Sequence, residues 1–305
     1  MKSRILFILL AMVVAAAASN AKKASGPPTG VTAPPKDVAK SLKLDPFYKK
    51  YVSAGGIAVV GSDKVSDYAL LEAAYLINHM LDGRDDICKA MVANKARVII
   101  MGTGEFTTDM PEHSKMKPKG FWDKRARGLG GQPRRPATSC GEENLLRYKG
   151  DPYITENILI HEFAHAIHHM GLVFVDKTFD KRLEQTYASA MKKGLWKGKY
   201  ASNNRAEYWA EAVQSWFDTN RQPDHDHNHV DTRKELKEYD PPLAKLVAEV
   251  FGDKPWKYVR PSQRKQPGHL KGYDRSKAPT FSWPQRVRKA WNEHQARKKR
   301  TGKKK

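Results

Sequence analysis

Apolar positions along the 305-residue chain fall into a few recognisable periods. Residues 56–62, GIAVVGS, form a short apolar run bounded by glycine, the pattern of a buried strand. In residues 67–81, DYALLEAAYLINHML, Leu70, Leu71, Ala74, Ile77 and Leu81 recur at helical spacing. ARVIIMGTGE, residues 96–105, predicts a second buried strand. The next fifty or so residues are rich in glycine, proline and charge and contain KRARGLGGQPRRP; they predict a long irregular stretch of the kind that covers or serves a site. Helical spacing returns from Thr155 to Met170, with Gly171 placed to close the helix. Further helices are expected over 180–194 and over 203–218, the latter capped by Asn203 or Asn204. Thr232 and Glu235 make a capping box, and a helix opening at Pro241 ends near Gly252. Strands come before helices and do not alternate with them, which predicts an α+β fold. No internal repeat is visible.

The two ends differ from this middle. MKSR is a basic opening, ILFILLAMVVAAAA is an apolar run, and Ser19-Asn20-Ala21 is a small-x-small cleavage pattern, with Ala16-Ala17-Ala18 as an alternative. Residues 1–21 therefore read as a secretory signal peptide; the apolar run is shorter than the roughly 20 residues that span a bilayer. No other stretch is expected to span one. Residues 22–40 are Pro/Gly/Lys-rich and read as a flexible leader. Residues 41–260 carry the globular patterns, and 261–305 turn basic and polar, a C-terminal tail. Within that tail, residues after Pro284 can form a short helix with Val287, Trp291 and His294 along one side.

Export changes what charge and cysteine mean. With 55 Lys and Arg against 33 Asp and Glu, the formal net charge is +22, which attracts polyanions. A secreted chain is not expected to meet nucleic acid, so the basic tail, ending RKKRTGKKK, is expected to bind acidic polysaccharide or an anionic surface. Cys88 and Cys140, the only two cysteines, are expected to pair in an oxidising compartment. Such a bridge would close about fifty residues and stabilise the fold by roughly 4 kcal/mol. No Asn-x-Ser/Thr sequon occurs.

The chemistry concentrates in ILIHEFAHAIHHMG, residues 158–171, where four histidines and a glutamate interrupt an apolar run. On a helix His161 and His165 are one turn apart on one face, so both imidazoles can reach one tetrahedral ion. Glu162 lies about 100° around the helix, where a carboxylate can act as general base on water. This predicts a Zn2+ site with an open position. His168 and His169 are read as cleft-edge or core groups.

A third ligand has to come from elsewhere. Gly171 and His168 stand in the reverse order to the HExxHxxGxxH pattern, which removes that class. In YASNNRAEYWAEAVQSWF, residues 200–217, Glu207 and Glu211 are one turn apart among large apolar side chains. Glu207 can bind zinc, or it can close a capping box with Asn204. Glu211 can hydrogen-bond a ligand histidine, or it can face solvent. The DHDHNH run at 224–229 reads as a solvated loop, and Asp109, Glu112 and His113 as loop polar residues.

HEFAH followed by Y-x6-E-Y-W-A-E-A resembles the peptidase domain of the anthrax lethal factor-like family. The resemblance covers about residues 155–217. It implies a zincin-like metallopeptidase of the gluzincin type, with His161, His165 and Glu207 on zinc and Glu162 as base. It also implies that Tyr200, seven residues before Glu207, stabilises the oxyanion or protonates the leaving amine. The expected activity is secreted, zinc-dependent hydrolysis of peptide bonds in a peptide or protein substrate. The alternative is a catalytically silent, zinc-stabilised domain that binds acidic matrix through its basic surface.

Overall fold

The structure is a computed structural model that describes residues 30–264 and 268–302. The expected signal peptide and residues 22–29 of the expected leader lie outside it. In the described part of that leader, Thr32 pairs with Tyr51 through two backbone hydrogen bonds of 3.0 and 2.7 Å, and a helix, α1, runs Lys36–Leu42. Its Val38 and Leu42, spaced i,i+4, pack on the apolar cluster of the sheet, so folded chain begins before residue 41.

A five-stranded sheet follows. Strands β1 (Lys50–Ala54) and β2 (Ile57–Gly61) form an antiparallel hairpin. Helices α2 (Asp67–Met80) and α3 (Asp85–Ala93) then carry the chain across to β3 (Arg97–Met101), parallel to β2. The stretch expected to be irregular contains α4 (Lys119–Arg125), β4 (Gly128–Leu129), β5 (Ala137–Gly141) and α5 (Glu142–Leu146). The sheet order is β1-β2-β3-β5-β4, with β5 parallel to β3 and β4 antiparallel at the edge. Side chains alternate across it. Val98 and Ile100 face the main core, and Ile99 and Met101 face a smaller cluster with Tyr48, Val60 and Met110. Fully buried Arg127 ties β4 to α5, its guanidinium meeting Glu143 at 2.6 and 2.9 Å.

The second half is helical: α6 (Ile158–Ala166), a π turn (Ile167–Leu172), α7 (Val173–Val175), α8 (Phe179–Lys192), α9 (Arg205–Trp216), α10 (Arg233–Tyr239) and α11 (Pro241–Phe251). The molecule is a mixed α+β fold. Gly171 does not end the helix, because the chain continues in helical form past it. A β-carbon at Gly171 would lie 2.7 Å from Ile87 Cγ2 and 3.1 Å from Met91 Cγ; glycine here lets α3 approach. Residues 158–175 are also the one described helix long and apolar enough to cross a membrane, yet 67% of it is buried inside the protein. A core helix passes the same test of length and composition.

Two expectations change here. Cys88 and Cys140 are both buried and free. The Cys88 sulfur lies against Gly55, at the β1–β2 turn, whereas Cys140 sits on β5, two strands from β2 and three residues along from the level of Ala58. At strand spacings of about 4.8 Å across and 3.3 Å along, that separation exceeds the roughly 7 Å limit for bridged Cα atoms. The tail beyond 260 also carries structure. Its last element, α12 (Gln285–Gly302), packs on α4, with the Trp291 ring stacked 5.5 Å from Phe121 and Val287 fully buried.

Candidate metal centre

Helices α6 and α9 cross so that three side chains meet. Asn157 caps α6 by accepting the Ile160 amide at 3.1 Å, and Leu159, Ile160, Phe163 and Ala164 hold the helix in the core with no exposed surface. His161 and His165 leave that helix on one side. Asn204 caps α9 alone, its side chain accepting from the amides of Ala206 (2.9 Å) and Glu207 (3.0 Å). The Glu207 carboxylate is thereby free of capping and turns to the histidines. Its Oε2 lies 3.1 Å from His161 Nε2 and 3.3 Å from His165 Nε2, and the two nitrogens are 3.3 Å apart. A tetrahedral zinc with ligand bonds near 2.05 Å has ligand–ligand edges of about 3.3 Å. The donor set therefore fits zinc in type and spacing. Among the described residues no other group of His, Cys, Asp or Glu converges in this way.

The electrostatics point the same way. Burial disfavours charge on His161, but Glu207, with Glu162 and Glu211 behind it, pushes its pKa up to about 10. Burial likewise disfavours the charged form of Glu207, yet His161 and His165 hold that carboxyl far below its usual range. Glu162 is raised, first by burial. Three carboxylates around two imidazoles form a site with surplus negative charge, which a divalent cation offsets.

Glu162 sits at the cleft side of α6, its stem against the edge strand: a β-carbon on Gly128 would come within 2.8 Å of Glu162 Cγ and would overlap Ile158. Gly130, just beyond β4, lies so close to α6 that its β-carbon would be 2.6 Å from that of His165. The glycines of GLGG thus let backbone pass over the histidine face. Tyr200 lies across the cleft, its ring 6.2 Å from that of His161 and its backbone N–H held by Asp226 at 2.7 Å. Burial, and then the charge of Glu207, push its phenol up to about 12. Arg125, the last residue of α4, opposes that rise with its charge.

Behind His161 the arrangement differs from the sequence reading. Glu211 reaches His161 Nδ1 only at 3.5 Å and His227 Nε2 at the same distance. The closer partner of Nδ1 is Gln214 Oε1, at 2.8 Å. Gln214 lies seven residues after Glu207 on the buried face of α9, and that spacing is the signal that could have marked it. His227 belongs to DHDHNH but is buried, bonded to Asp224 at 2.9 Å as well as to Glu211, so that run is not simply a solvated loop. His168 turns away from the cluster, to Asp180 at 3.1 Å. Asp109 accepts the Phe106 amide, Glu112 pairs with Arg97, and His113 is buried on Ser139; all three support the fold.

No known protein-family model matches this chain, and no curated protein matches it. The lethal factor-like resemblance thus rests on its motifs alone. Among solved structures the chain is similar to the PRO-PRO endopeptidase (PPEP-2) from Paenibacillus alvei, with 20% sequence identity and a TM-score of 0.43 over 63% of this chain and 97% of that one.

Proposed function

We propose that this chain is an exported, zinc-dependent endopeptidase of the gluzincin type. The observation that carries the reading is the convergence of His161 Nε2, His165 Nε2 and Glu207 Oε2 within 3.3 Å of one another, with Glu162 beside them on α6. Zinc held by those three atoms supplies Lewis acidity, which lowers the pKa of water to about 7 and polarises a carbonyl. Glu162 takes a proton from the attacking water and passes it to the amide nitrogen as the C–N bond breaks, leaving a carboxylate and an amine. Tyr200 donates its O–H to the oxygen that becomes negative. The β4 edge, unpaired on the side away from β5 in the sheet order, offers backbone groups to an extended peptide. The lethal factor-like motif supports these roles, and the N-terminal apolar run supports export.

The second reading, a catalytically silent zinc-stabilised domain, is disfavoured by the donor count. A structural zinc site is closed by four protein ligands, and three converge among the described residues. The deciding experiment incubates zinc-loaded protein with a mixed peptide library, with and without chelator, beside a Glu162→Gln variant. Cleavage that chelation removes, and that the variant loses by orders of magnitude while keeping its zinc, supports the proposal. Full activity in the variant would sink the role of Glu162. No cleavage under any condition would leave the silent reading.

A further inference from the structure

The metal-site motif does not explain why part of the DHDHNH run turns inward. Residues 224–227 form a tight turn around one carboxylate. Asp224 Oδ1 accepts the backbone N–H groups of Asp226 and His227, each at 2.8 Å, and meets His227 Nδ1 at 2.9 Å. The Asp224 amide donates to the His227 carbonyl at 3.2 Å. These contacts fix the shape of the turn from within.

The turn holds the segment that carries Tyr200. The Asp226 carbonyl accepts the Tyr200 amide at 2.7 Å, and the Asp224 carbonyl accepts from Lys199 Nζ at 3.0 Å. The Tyr200 ring stands between two imidazoles, 6.2 Å from His161 and 6.3 Å from His227. His227 is also where the turn meets α9. Its Nε2 lies 3.5 Å from Glu211 Oε2, and both side chains are buried. Asn220 donates to the same oxygen at 3.1 Å. Arg221 borders the other side, paired with Glu156 and 3.5 Å from Asp224. One imidazole thus joins the turn that holds Tyr200 to the helix that supplies Glu207.

We infer that His227 is a positioning residue, which fixes Tyr200 against the metal centre by anchoring residues 224–227 to Glu211. The inference rests on the peptidase reading above and adds what keeps its oxyanion donor in place. Tyr200 only opens a three-residue turn of its own, so its backbone takes its place from the Asp226 contact. An oxyanion donor acts over a narrow range, about 2.7–3.1 Å, and a misplacement of about 1 Å costs on the order of 100-fold in rate. His161 does not need the same anchor, because Gln214 meets its Nδ1 at 2.8 Å. Loss of His227 therefore displaces the phenol and leaves the zinc bound.

The test measures kcat, KM and zinc stoichiometry on one peptide taken from the library. His227→Leu should lower kcat by about 100-fold with KM little changed, because the oxyanion exists only beyond the ground state. Zinc should stay at one per chain. His227→Gln places an amide donor where Nε2 stands and should recover most of kcat. His225→Gln alters a side chain that is 96% exposed in the same loop and should leave kcat unaltered. The double variant Tyr200→Phe/His227→Leu should be no slower than Tyr200→Phe alone, since the anchor then has nothing to position. Asp224→Ala should show the same dependence on Tyr200, and carries the test if His227→Leu does not fold.

Independent, multiplying losses in the double variant would overturn the inference and give His227 a role apart from Tyr200. Zinc lost from His227→Leu in step with kcat would overturn it in favour of support for His161. A raised KM at unchanged kcat would overturn it as well. Full activity in Tyr200→Phe would remove the donor and this inference together, while the Glu162→Gln variant still decides the peptidase reading. If zinc-loaded wild type cleaves nothing in the library, the peptidase reading falls and takes this inference with it.

Discussion

Nδ1 of His161 donates to Oε1 of Gln214 across 2.8 Å, and the rest of Gln214 fixes the direction of that bond. Its amide nitrogen is engaged by Glu156 Oε2 at 3.1 Å and by the Asn157 carbonyl at 3.2 Å. Only the amide oxygen is left to face the imidazole. With zinc in place the His161 proton would therefore sit on Nδ1, leaving the Nε2 lone pair for the metal. Support of this kind behind a ligand histidine is worth about 10- to 100-fold in metal affinity. Gln214→Leu should weaken zinc binding by that factor in a chelator competition; an unchanged affinity would show that Gln214 does not orient the ring.

Glu207 and Glu211 approach opposite nitrogens of the same imidazole, Nε2 at 3.1 Å and Nδ1 at 3.5 Å. Only Glu207 faces the side where His165 also points. Glu207→Ala should drop zinc stoichiometry from one per chain toward zero, with helix content retained because Asn204 still caps α9. Glu211→Ala should keep the metal at lower affinity. One zinc retained by Glu207→Ala would move the third ligand elsewhere.

Gly130 tests the closeness of β4 to the metal helix. Its φ is not in the left-handed region, so alanine meets no backbone strain there. It meets His165 instead, at 2.6 Å from the side-chain β-carbon. Gly130→Ala should displace His165 and weaken zinc retention, whereas Gly104→Ala, with no atom within 4 Å, should leave it unchanged. Equal zinc affinity in the two variants would mean that the strand yields and the histidine does not.

His113 ties stability to pH. It is fully buried on Ser139 at 3.2 Å, with Nδ1 unpartnered. Burial first, then the nearby Arg135 and Arg97, push it down to about 3, against a smaller opposing effect at Glu112. Between about pH 6.5 and 3 the unfolded chain binds a proton that the native chain refuses. This contribution is complete above pH 6.5 and is lost as pH falls through the window, on the order of 5 kcal/mol in all. His113→Leu should flatten denaturation free energy against pH between 6.5 and 4 relative to wild type. Parallel slopes would exclude His113 as the source.

Much of the centre was legible because its parts are local. His161, Glu162 and His165 lie within five residues, and one helical period places them on adjoining faces. Glu207 could be singled out by its apolar neighbours, although sequence left its capping role open until Asn204 was seen to cap unaided. Gln214 was not legible, because it gains meaning only from a contact far along the chain, with His161. In the fold, β2 and β3 are continuous apolar runs and showed themselves. Strand β4 has two residues, too few for any period, and β1, KYVSA, carries a lysine and a serine that dilute its alternation. The free thiols failed the pairing rule because compartment and count say nothing about distance.

The C-terminal segment separates two effects that the sequence reading joined. As a free tail, residues 261–305 would supply charge alone. As α12, the segment presses Trp291 against Phe121 of α4 and Val287 into a cluster with Phe106 and Phe281, and carries exposed basic residues on its other side, among them Arg288, Lys289, Lys299 and Arg300. Lys124 of α4 also lies 4.2 Å from the Trp283 ring centre, so apolar contact and cation–π attraction act together in the docking. Removing residues 297–305 takes away the terminal basic turn and leaves Trp291 and His294 on Phe121. That truncation should elute earlier from a heparin-like column, at lower salt, with kcat/KM for a small neutral peptide unchanged. Removing residues 285–305 also uncovers α4, which leads into the edge strand β4 beside Glu162 and His165. The longer truncation should lower kcat/KM as well, by about tenfold, while zinc stoichiometry stays at one because α6 and α9 do not depend on α12. Equal peptide turnover in both truncations would show that α4 and β4 keep their place without help from the C-terminus. Equal column retention of the full-length and shorter chains would assign polyanion binding to the remaining surface.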